Sequence, residues 1–115
     1  MYGYFHDETR VYMVMEYSKY GSLFKQLGMR KSFTEAEAAS IIHQLCDAAQ
    51  YLHTRHVIHR DIKPENVLIT SHSPLTVKIC DFGWAAHAVD QRRQTFCGTV
   101  DYVAPEIARK DVYGP

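Results

Sequence analysis

The stretch His59-Arg60-Asp61-Ile62-Lys63-Pro64-Glu65-Asn66 places a carboxylate, an ammonium group and a carboxamide close together in the chain. Pro64 stiffens the backbone between them, because its ring fixes φ and removes a hydrogen-bond donor. A loop of this kind can present Asp61 to a hydroxyl, Lys63 to a phosphate and Asn66 to a metal ion. The stretch therefore predicts a loop that carries chemistry.

Two short strands joined by a turn follow this loop. A β-branched run from Val67 to Thr70 leads into the turn signal Ser71-His72-Ser73-Pro74, and a second run extends from Thr76 to Ile79. A hairpin brings the residue before its first strand next to the residues after its second strand. We therefore expect Asn66 and Asp81 to lie side by side, where both offer the oxygen ligands that Mg²⁺ prefers beside phosphate.

The overall composition excludes several classes of protein. The 115 residues suffice for one modest domain, and the 13 basic and 13 acidic residues cancel. This balance gives no electrostatic case for a nucleic acid or an anionic membrane as the partner. Three widely spaced cysteines (Cys46, Cys80 and Cys97) indicate a reducing compartment, not a disulfide framework or a zinc site. No signal peptide and no membrane-spanning apolar run is evident.

The first third of the chain predicts two strands and a short helix. Strands are expected from Tyr2 to His6 and from Val11 to Tyr17. The second strand is nearly all apolar, which favours a central position in a sheet. A short helix is expected around Leu23 to Leu27, and Gly28 is expected to close it.

A longer helix is expected from about Glu35 to His53. Thr34 and Glu37 have the spacing of a capping box, in which each side chain satisfies a free backbone donor near the other. His43 and Cys46 lie beside the apolar stripe and are read as structural side chains. The residues with helical apolar spacing are Ala38, Ile41, Ile42, Leu45, Ala49 and Leu52.

Three elements in order resemble the signature of eukaryotic protein kinases. The loop His59–Asn66 fits H-R-D-x-x-x-x-N, Asp81-Phe82-Gly83 fits D-F-G, and Ala104-Pro105-Glu106 fits A-P-E. Lys63, two residues after Asp61, resembles the serine/threonine branch. The resemblance implies a partial kinase-like domain of the α+β class.

A closer resemblance, over essentially all residues, is to the Aurora kinase family. Trp84 after the D-F-G element and the phrase Arg92–Tyr102 are typical of Auroras, and Tyr4–Asp7 and Val11-Tyr12 are Aurora-like. The resemblance implies one partial kinase domain over residues 1–115. Residues 1–18 would form the last strands of the small lobe and the hinge, and residues 19–115 the large lobe through the activation segment.

The resemblance also implies the role of each site residue. Asp61 would be the catalytic base, Lys63 would steady the transferred phosphoryl group, and Asn66 and Asp81 would hold Mg²⁺. Met15 would be the gatekeeper residue, and Glu16, Tyr17 and Ser18 would form the hinge, here called the hinge segment. Backbone groups of Glu16 and Ser18 would pair with the adenine of ATP, and Leu68 would lie under its ring. The nucleotide-binding positions implied are Met15, Glu16, Tyr17, Ser18, Lys63, Glu65, Asn66, Leu68 and Asp81.

Regulation and substrate binding are implied in the same way. Thr95 matches an activating phosphothreonine, which Arg60 would bind. Thr99 would lie near Asp61 and Lys63 and favour Ser/Thr acceptors, and Glu65 would read a basic residue in the substrate. The resemblance implies protein substrates and activator proteins as partners. It also implies a location in the cytoplasm and nucleus, including the spindle, centrosomes and chromosomes, and a role in mitosis.

Plainer interpretations stand beside these roles. Asp61 can be read as a structural loop carboxylate and Lys63 as a solvated lysine, although the motif argues against both. Thr95 can be an ordinary loop threonine, and Arg92-Arg93 either solvated charge or a self-phosphorylation sequence. Cys80 is read first as a small core residue and second as a reactive thiol. Met15 is expected in the core, and His59 as a buried structural residue.

Two hypotheses cover what the sequence lacks. No Gly-rich loop precedes Tyr2, and the lysine and helix-borne glutamate that grip the nucleotide in kinases are missing. The chain is expected to be a segment of an active Aurora-like kinase or, alternatively, a catalytically inactive truncated product that is a binding or decoy fragment or a pseudogene product. A complete pseudokinase is disfavoured because Asp61, Asn66 and Asp81 are all in place.

Overall fold

A computed structural model describes residues 1–87 and 98–113 of the chain. Its elements, in chain order, are β1 (Gly3–His6), β2 (Val11–Val14), α1 (Leu23–Arg30), α2 (Glu35–Thr54), β3 (Val57–Ile58), β4 (Val67–His72), β5 (Leu75–Ile79), β6 (Ala86–His87) and α3 (Pro105–Ala108). Short 3₁₀ turns cover Pro64–Asn66 and Val100–Tyr102. In the described ranges the strands pair as β1–β2, β3–β6 and β4–β5, all antiparallel. This mixture of helices and small sheets confirms the α+β class.

The β4–β5 hairpin is the centre of the molecule. Val67 pairs with Ile79 and Ile69 with Val77, so the two predicted strands are confirmed with slightly extended ends. Val67, Ile69 and Val77 face Ile41 of α2, and these four side chains form the buried core. Tyr20, Leu23, Phe33, Leu45 and Leu75 pack around this cluster.

Helix α2 covers the hairpin and begins where the sequence predicts. The Thr34 hydroxyl accepts from the Glu37 amide, and the Glu37 carboxylate accepts from the Thr34 amide, so the capping box is complete. The carboxamide of Gln44 reaches β5, where its nitrogen donates to the Leu75 carbonyl and its oxygen accepts from the Val77 amide. The helical spacing assigns Ile42 to the buried stripe, but its side chain is 59% exposed because the hairpin covers only the Ile41 face.

Helix α1 is longer than predicted. The sequence predicts an end at Gly28, but the helix continues to Arg30 and Lys31 caps it with φ 67°. A single glycine inside a helix costs only about 1 kcal/mol relative to alanine. Ser22 offsets part of this cost by capping the first turn through a bond from the Lys25 amide.

The strands β1 and β2 form a hairpin of their own. The prediction that the second strand is central is wrong, because in the described residues β2 pairs with β1 alone and all four of its residues are exposed. For the same reason Met15, expected in the core, is 62% exposed. No helix in residues 1–87 and 98–113 has the length and apolar character needed to cross a bilayer.

Candidate active site

The His59 side chain fixes the position of the loop that follows β3. This side chain is buried, and its Nε2 lies 3.0 Å from the Cys80 carbonyl oxygen. Its Nδ1 accepts from the Asp61 amide over 3.3 Å. A ring with its proton on Nε2 satisfies both bonds. The Phe82 ring packs edge-on against the imidazole at 4.8 Å, so His59 joins the loop to the end of β5, as a buried structural residue.

Two residues that flank the site have left-handed backbone. Arg60 has φ 68° and Asp81 has φ 59°, where most L-residues are disfavoured. Such conformations cost on the order of 1–3 kcal/mol each and persist where surrounding contacts hold them. Each of the two residues makes such a contact. The Arg60 Nε donates to the Trp84 carbonyl over 2.6 Å, and Asp81 Oδ1 accepts from the Gly83 amide over 3.1 Å.

Asp61 is the centre of the site. The residue is 5% exposed, and its carboxylate accepts hydrogen bonds at both oxygens. Oδ1 accepts from the Thr99 hydroxyl (2.7 Å) and the Thr99 amide (3.0 Å). Oδ2 accepts from Asn66 Nδ2 (3.0 Å) and lies 3.0 Å from Lys63 Nζ. A buried charge needs such partners, because an unpaired one costs far more.

These contacts fix the charges of the site. Burial acts to raise the pKa of Asp61, but hydrogen bonds from Thr99 and Lys63 outweigh it and hold that pKa below the ordinary 3.8. The hydrogen bond to Asp61 raises the pKa of Lys63 despite its burial, and the charges of Glu65 and Asp81 add to the effect. At neutral pH the site therefore contains a carboxylate anion beside an ammonium cation.

Lys63 also contacts Thr99 directly. Its Nζ donates to the Thr99 hydroxyl oxygen over 2.5 Å, while that hydroxyl donates to Asp61. The structure thus brings together four residues that the sequence assigned to the site, Asp61, Lys63, Asn66 and Thr99, although Thr99 lies far along the chain.

The oxygen of Asn66 fits a magnesium ligand. This side chain is buried, and both hydrogen bonds it donates to Asp61 use Nδ2. Within the described residues its Oδ1 accepts no hydrogen bond, so a buried oxygen is left for a cation. The Cys80 amide donates to the Asn66 carbonyl over 2.9 Å, so Asp81 follows directly after the residue that is bonded to Asn66. That the two side chains lie side by side stays a prediction.

The described residues alone would not complete the coordination shell of a metal ion. In the part of the chain that the structure describes, no three His, Cys, Asp or Glu side chains cluster as a metal centre. Mg²⁺ commonly uses one or two protein oxygens and completes its shell with phosphate and water. Asn66 and Asp81 therefore suit a metal ion that arrives with a phosphorylated nucleotide.

The hinge segment follows β2 and contacts the core hairpin. The Ser18 hydroxyl donates to the Ile69 carbonyl over 2.6 Å, and the Glu16 carboxylate pairs with the Lys78 ammonium group. Tyr17 is exposed, as is Met15. Leu68 is half-buried on β4, where it forms a bridge with Ser22. Glu16 and Ser18 thus contact the two strands of the hairpin, and the nucleotide-binding roles of these residues stay predictions.

A cleft of about 170 Å³ opens beside the Asp61 carboxylate. Its walls include Ile62, Thr99, Val103 and Ile107. Glu65 is exposed in the turn that follows the loop, and Thr95, its basic neighbours Arg92-Arg93, and Cys97 lie outside the described residues. The role of Arg60 as a phosphothreonine ligand is therefore still a prediction.

Sequence reasoning missed three contributors to the site. An added Cβ at Gly98, which has φ 100°, would meet the Arg60 carbonyl oxygen at 2.7 Å. The Trp84 carbonyl accepts from Arg60, and the buried Tyr113 hydroxyl lies 3.4 Å from Arg60 Nη1. Gly98 could have indicated a close approach of two backbone segments, because glycine has no Cβ and tolerates a positive φ. Nothing in the sequence pattern singled out Tyr113.

Comparison with known proteins agrees with this geometry. The family model described as "Protein kinase domain" matches residues 1–115, and the chain belongs to that family. Aurora kinases are among its relatives. The chain is 50% identical over 113 residues to the Aurora kinase of Yarrowia lipolytica, covering 98% of this chain and 30% of that protein.

Two further relatives show the same pattern. Identity to the Aurora kinase of Dictyostelium discoideum is 48% over 113 residues, or 98% of this chain and 29% of that protein. Identity to Aurora kinase B of Xenopus tropicalis is 50% over 107 residues, or 93% of this chain and 29% of that protein. The chain therefore spans about 30% of the length of these curated relatives. The resemblance to a partial kinase domain of Aurora type is confirmed.

Proposed function

We propose that the protein containing this chain is an Aurora-type serine/threonine kinase that transfers the γ-phosphate of ATP to a protein hydroxyl. The observation that carries the proposal is the Asp61 carboxylate, held by four donors beside an open cleft. A serine or threonine side chain that enters this cleft reaches an anionic acceptor. The Aurora kinases among its relatives support the choice of acceptor.

In the proposed reaction the substrate hydroxyl attacks the γ-phosphorus of ATP. The bond from that phosphorus to the β–γ bridging oxygen breaks, and ADP leaves with its electron pair. Asp61 accepts the hydroxyl proton, and Lys63 stabilises negative charge on the transferred group. Mg²⁺, held by Asn66 and Asp81, would neutralise phosphate charge when bound. Thr99 orients both Asp61 and Lys63 through its single hydroxyl.

Other parts of the proposal rest on the family resemblance alone. We include that residues 1–18 belong to the small lobe and the hinge, and residues 19–115 to the large lobe. We also include that phosphorylation of Thr95 activates the kinase, and that Glu65 binds a basic residue of the substrate. A mitotic role, activator proteins, and a cytoplasmic and nuclear location complete it. A fluorescent fusion followed through cell division tests the location and its timing.

The decisive experiment uses the product of the complete coding sequence that contains residues 1–115. Labelled ATP is supplied with peptides that differ only in a Ser, Thr or Tyr acceptor. We expect transfer to Ser and Thr. Asp61→Asn should lower turnover by about 10²–10⁴-fold while ATP binding remains, because a general base contributes in that range.

Asp47→Asn is the matched control, since Asp47 is an exposed carboxylate on α2. It should leave turnover unchanged. A product that binds a protein partner but transfers no phosphate would instead support the inactive, decoy alternative. Full turnover in Asp61→Asn would remove Asp61 from the proposed role.

A further inference from the structure

The Glu16–Lys78 ion pair links two parts of the chain that are far apart in sequence. Glu16 belongs to the hinge segment after β2, and Lys78 belongs to β5. Their charged groups are in direct contact, and both side chains are about half-exposed. The pair therefore joins the β1–β2 side of the molecule to the core hairpin.

The position of Lys78 on the hairpin is informative. Lys78 is the cross-strand partner of Leu68, and such partners project from the same face of an antiparallel pair. Ile69 and Val77, the next pair along, point into the core on the opposite face. The Lys78 ammonium group therefore draws Glu16 to the face that carries Leu68.

A second contact holds the other end of the hinge segment. The Ser18 hydroxyl donates to the Ile69 carbonyl over 2.6 Å, directly after Leu68 in β4. Residues 16 and 18 are thus each fixed to the hairpin, one by charge and one by a hydrogen bond. The backbone between them is held next to the Leu68 face.

We propose that the Glu16–Lys78 ion pair positions the hinge segment beside Leu68 and thereby sets the affinity for the adenine base of ATP. Lys78 is then a positioning residue, because it acts through Glu16 and does not touch the nucleotide. The inference rests on the proposed kinase function and adds to it a residue outside the catalytic motifs.

The test compares Lys78→Met with Lys25→Met in the product of the complete coding sequence. Both changes remove an ammonium group and keep a long side chain, but Lys25 is exposed on α1 and makes no ion pair among the described residues. We expect Lys78→Met to raise KM for ATP about two- to fivefold, the range of effect of partly exposed ion pairs, with kcat unchanged. Lys25→Met should change neither constant.

A further variant separates positioning from general stability. Lys78→Arg keeps the positive charge that pairs with Glu16 and should retain the wild-type KM. When both proteins are measured in 1 M salt, the KM values of wild type and Lys78→Met should converge, since salt screens the exposed charges of the pair.

The outcomes that overturn the proposal are distinct. Equal KM values in Lys78→Met and wild type, or a joint change of kcat, KM and Tm that Lys78→Arg also shows, would contradict it. If wild-type protein binds ATP without transferring phosphate, the proposed function fails, and Kd values from a fluorescent ATP analogue decide the positioning role by the same comparisons. If wild-type protein binds no nucleotide, both proposals fall.

Discussion

The Thr99 hydroxyl donates to Asp61 Oδ1 over 2.7 Å and accepts from Lys63 Nζ over 2.5 Å, so one side chain connects the base and the cation of the site. Thr99 precedes the short 3₁₀ turn Val100–Tyr102, whereas Asp61 follows β3. The contact therefore depends on how two distant segments fold together. A test of the site can begin at this hydroxyl without altering Asp61 or Lys63.

Thr99→Val should lower kcat by at least about tenfold, because a hydrogen bond to a charged group contributes roughly 1.5–3 kcal/mol. Thr99→Ser keeps the hydroxyl and should stay close to wild type. Initial rates at saturating ATP and peptide give the comparison. Equal kcat values for the valine and serine variants would show that the hydroxyl is dispensable.

The state of Asp61 predicts a pH dependence of stability. Its pKa is lower in the folded protein than the ordinary 3.8, so its anionic form stabilises the fold above pH 3.8. This contribution should disappear as pH falls through the lowered folded pKa. Urea unfolding of wild type and Asp61→Asn between pH 2 and 7 measures it. The gap in unfolding free energy should shrink on acidification, and a constant gap would contradict the assignment.

Asn66→Ala should weaken both the fold and the metal site. The change removes two hydrogen bonds to Asp61 and the buried oxygen assigned to Mg²⁺. We expect a higher Mg²⁺ concentration for half-maximal turnover, measured at fixed ATP. Gln50→Ala, which removes an exposed amide from α2, serves as the control and should leave that concentration unchanged. An unchanged Mg²⁺ requirement in Asn66→Ala would remove Asn66 from the metal site.

Gly98 and Gly28 form a matched pair of alanine substitutions. Gly98→Ala should destabilise the protein and lower kcat, because the new Cβ would meet the Arg60 carbonyl at 2.7 Å in a backbone with φ 100°. Gly28→Ala enters open space in a helix and should stabilise by about 0.5–1 kcal/mol. Thermal unfolding and kcat give both results. Opposite signs are expected, and a neutral Gly98→Ala would contradict the close approach.

The capping box at the start of α2 predicts a purely structural effect. Thr34→Ala removes the acceptor for the Glu37 amide and should destabilise by about 1 kcal/mol. Thr34→Ser keeps that acceptor and should cost much less. Because the two bonds of the box involve none of the site residues, KM for ATP should stay unchanged while Tm falls. A change in KM without a change in Tm would be inconsistent with a cap.

The parts of the fold that depend on local chemistry were predictable. The capping box, the hairpin from Val67 to Ile79 and the loop between His59 and Asn66 are each encoded by neighbouring residues. The predicted end of α1 at Gly28 is wrong, because the sequence alone does not distinguish a glycine that ends a helix from one that lies inside it. The burial of Ile42 and Met15 is overestimated, because periodicity shows which residues are apolar and not which neighbours exist to cover them.

The residues of the site also divide into those that the sequence predicts and those that only the folded structure brings together. Asp61, Lys63 and Asn66 were recognisable because they share one short loop. The contact of Thr99 with them was expected from the family resemblance alone. The Glu16–Lys78 pair, the Ser18 bond to Ile69 and the approach of Gly98 to Arg60 join segments with no shared pattern, so they required the folded structure.

The Gln44 carboxamide occupies backbone groups of β5 that a further strand would otherwise use. It accepts from the Val77 amide and donates to the Leu75 carbonyl, as a neighbouring strand would. An unpaired strand edge is a template for association between molecules. A strand from another chain would have to displace this amide before it could extend the hairpin there. One side chain of α2 thus protects the core hairpin against edge-to-edge aggregation.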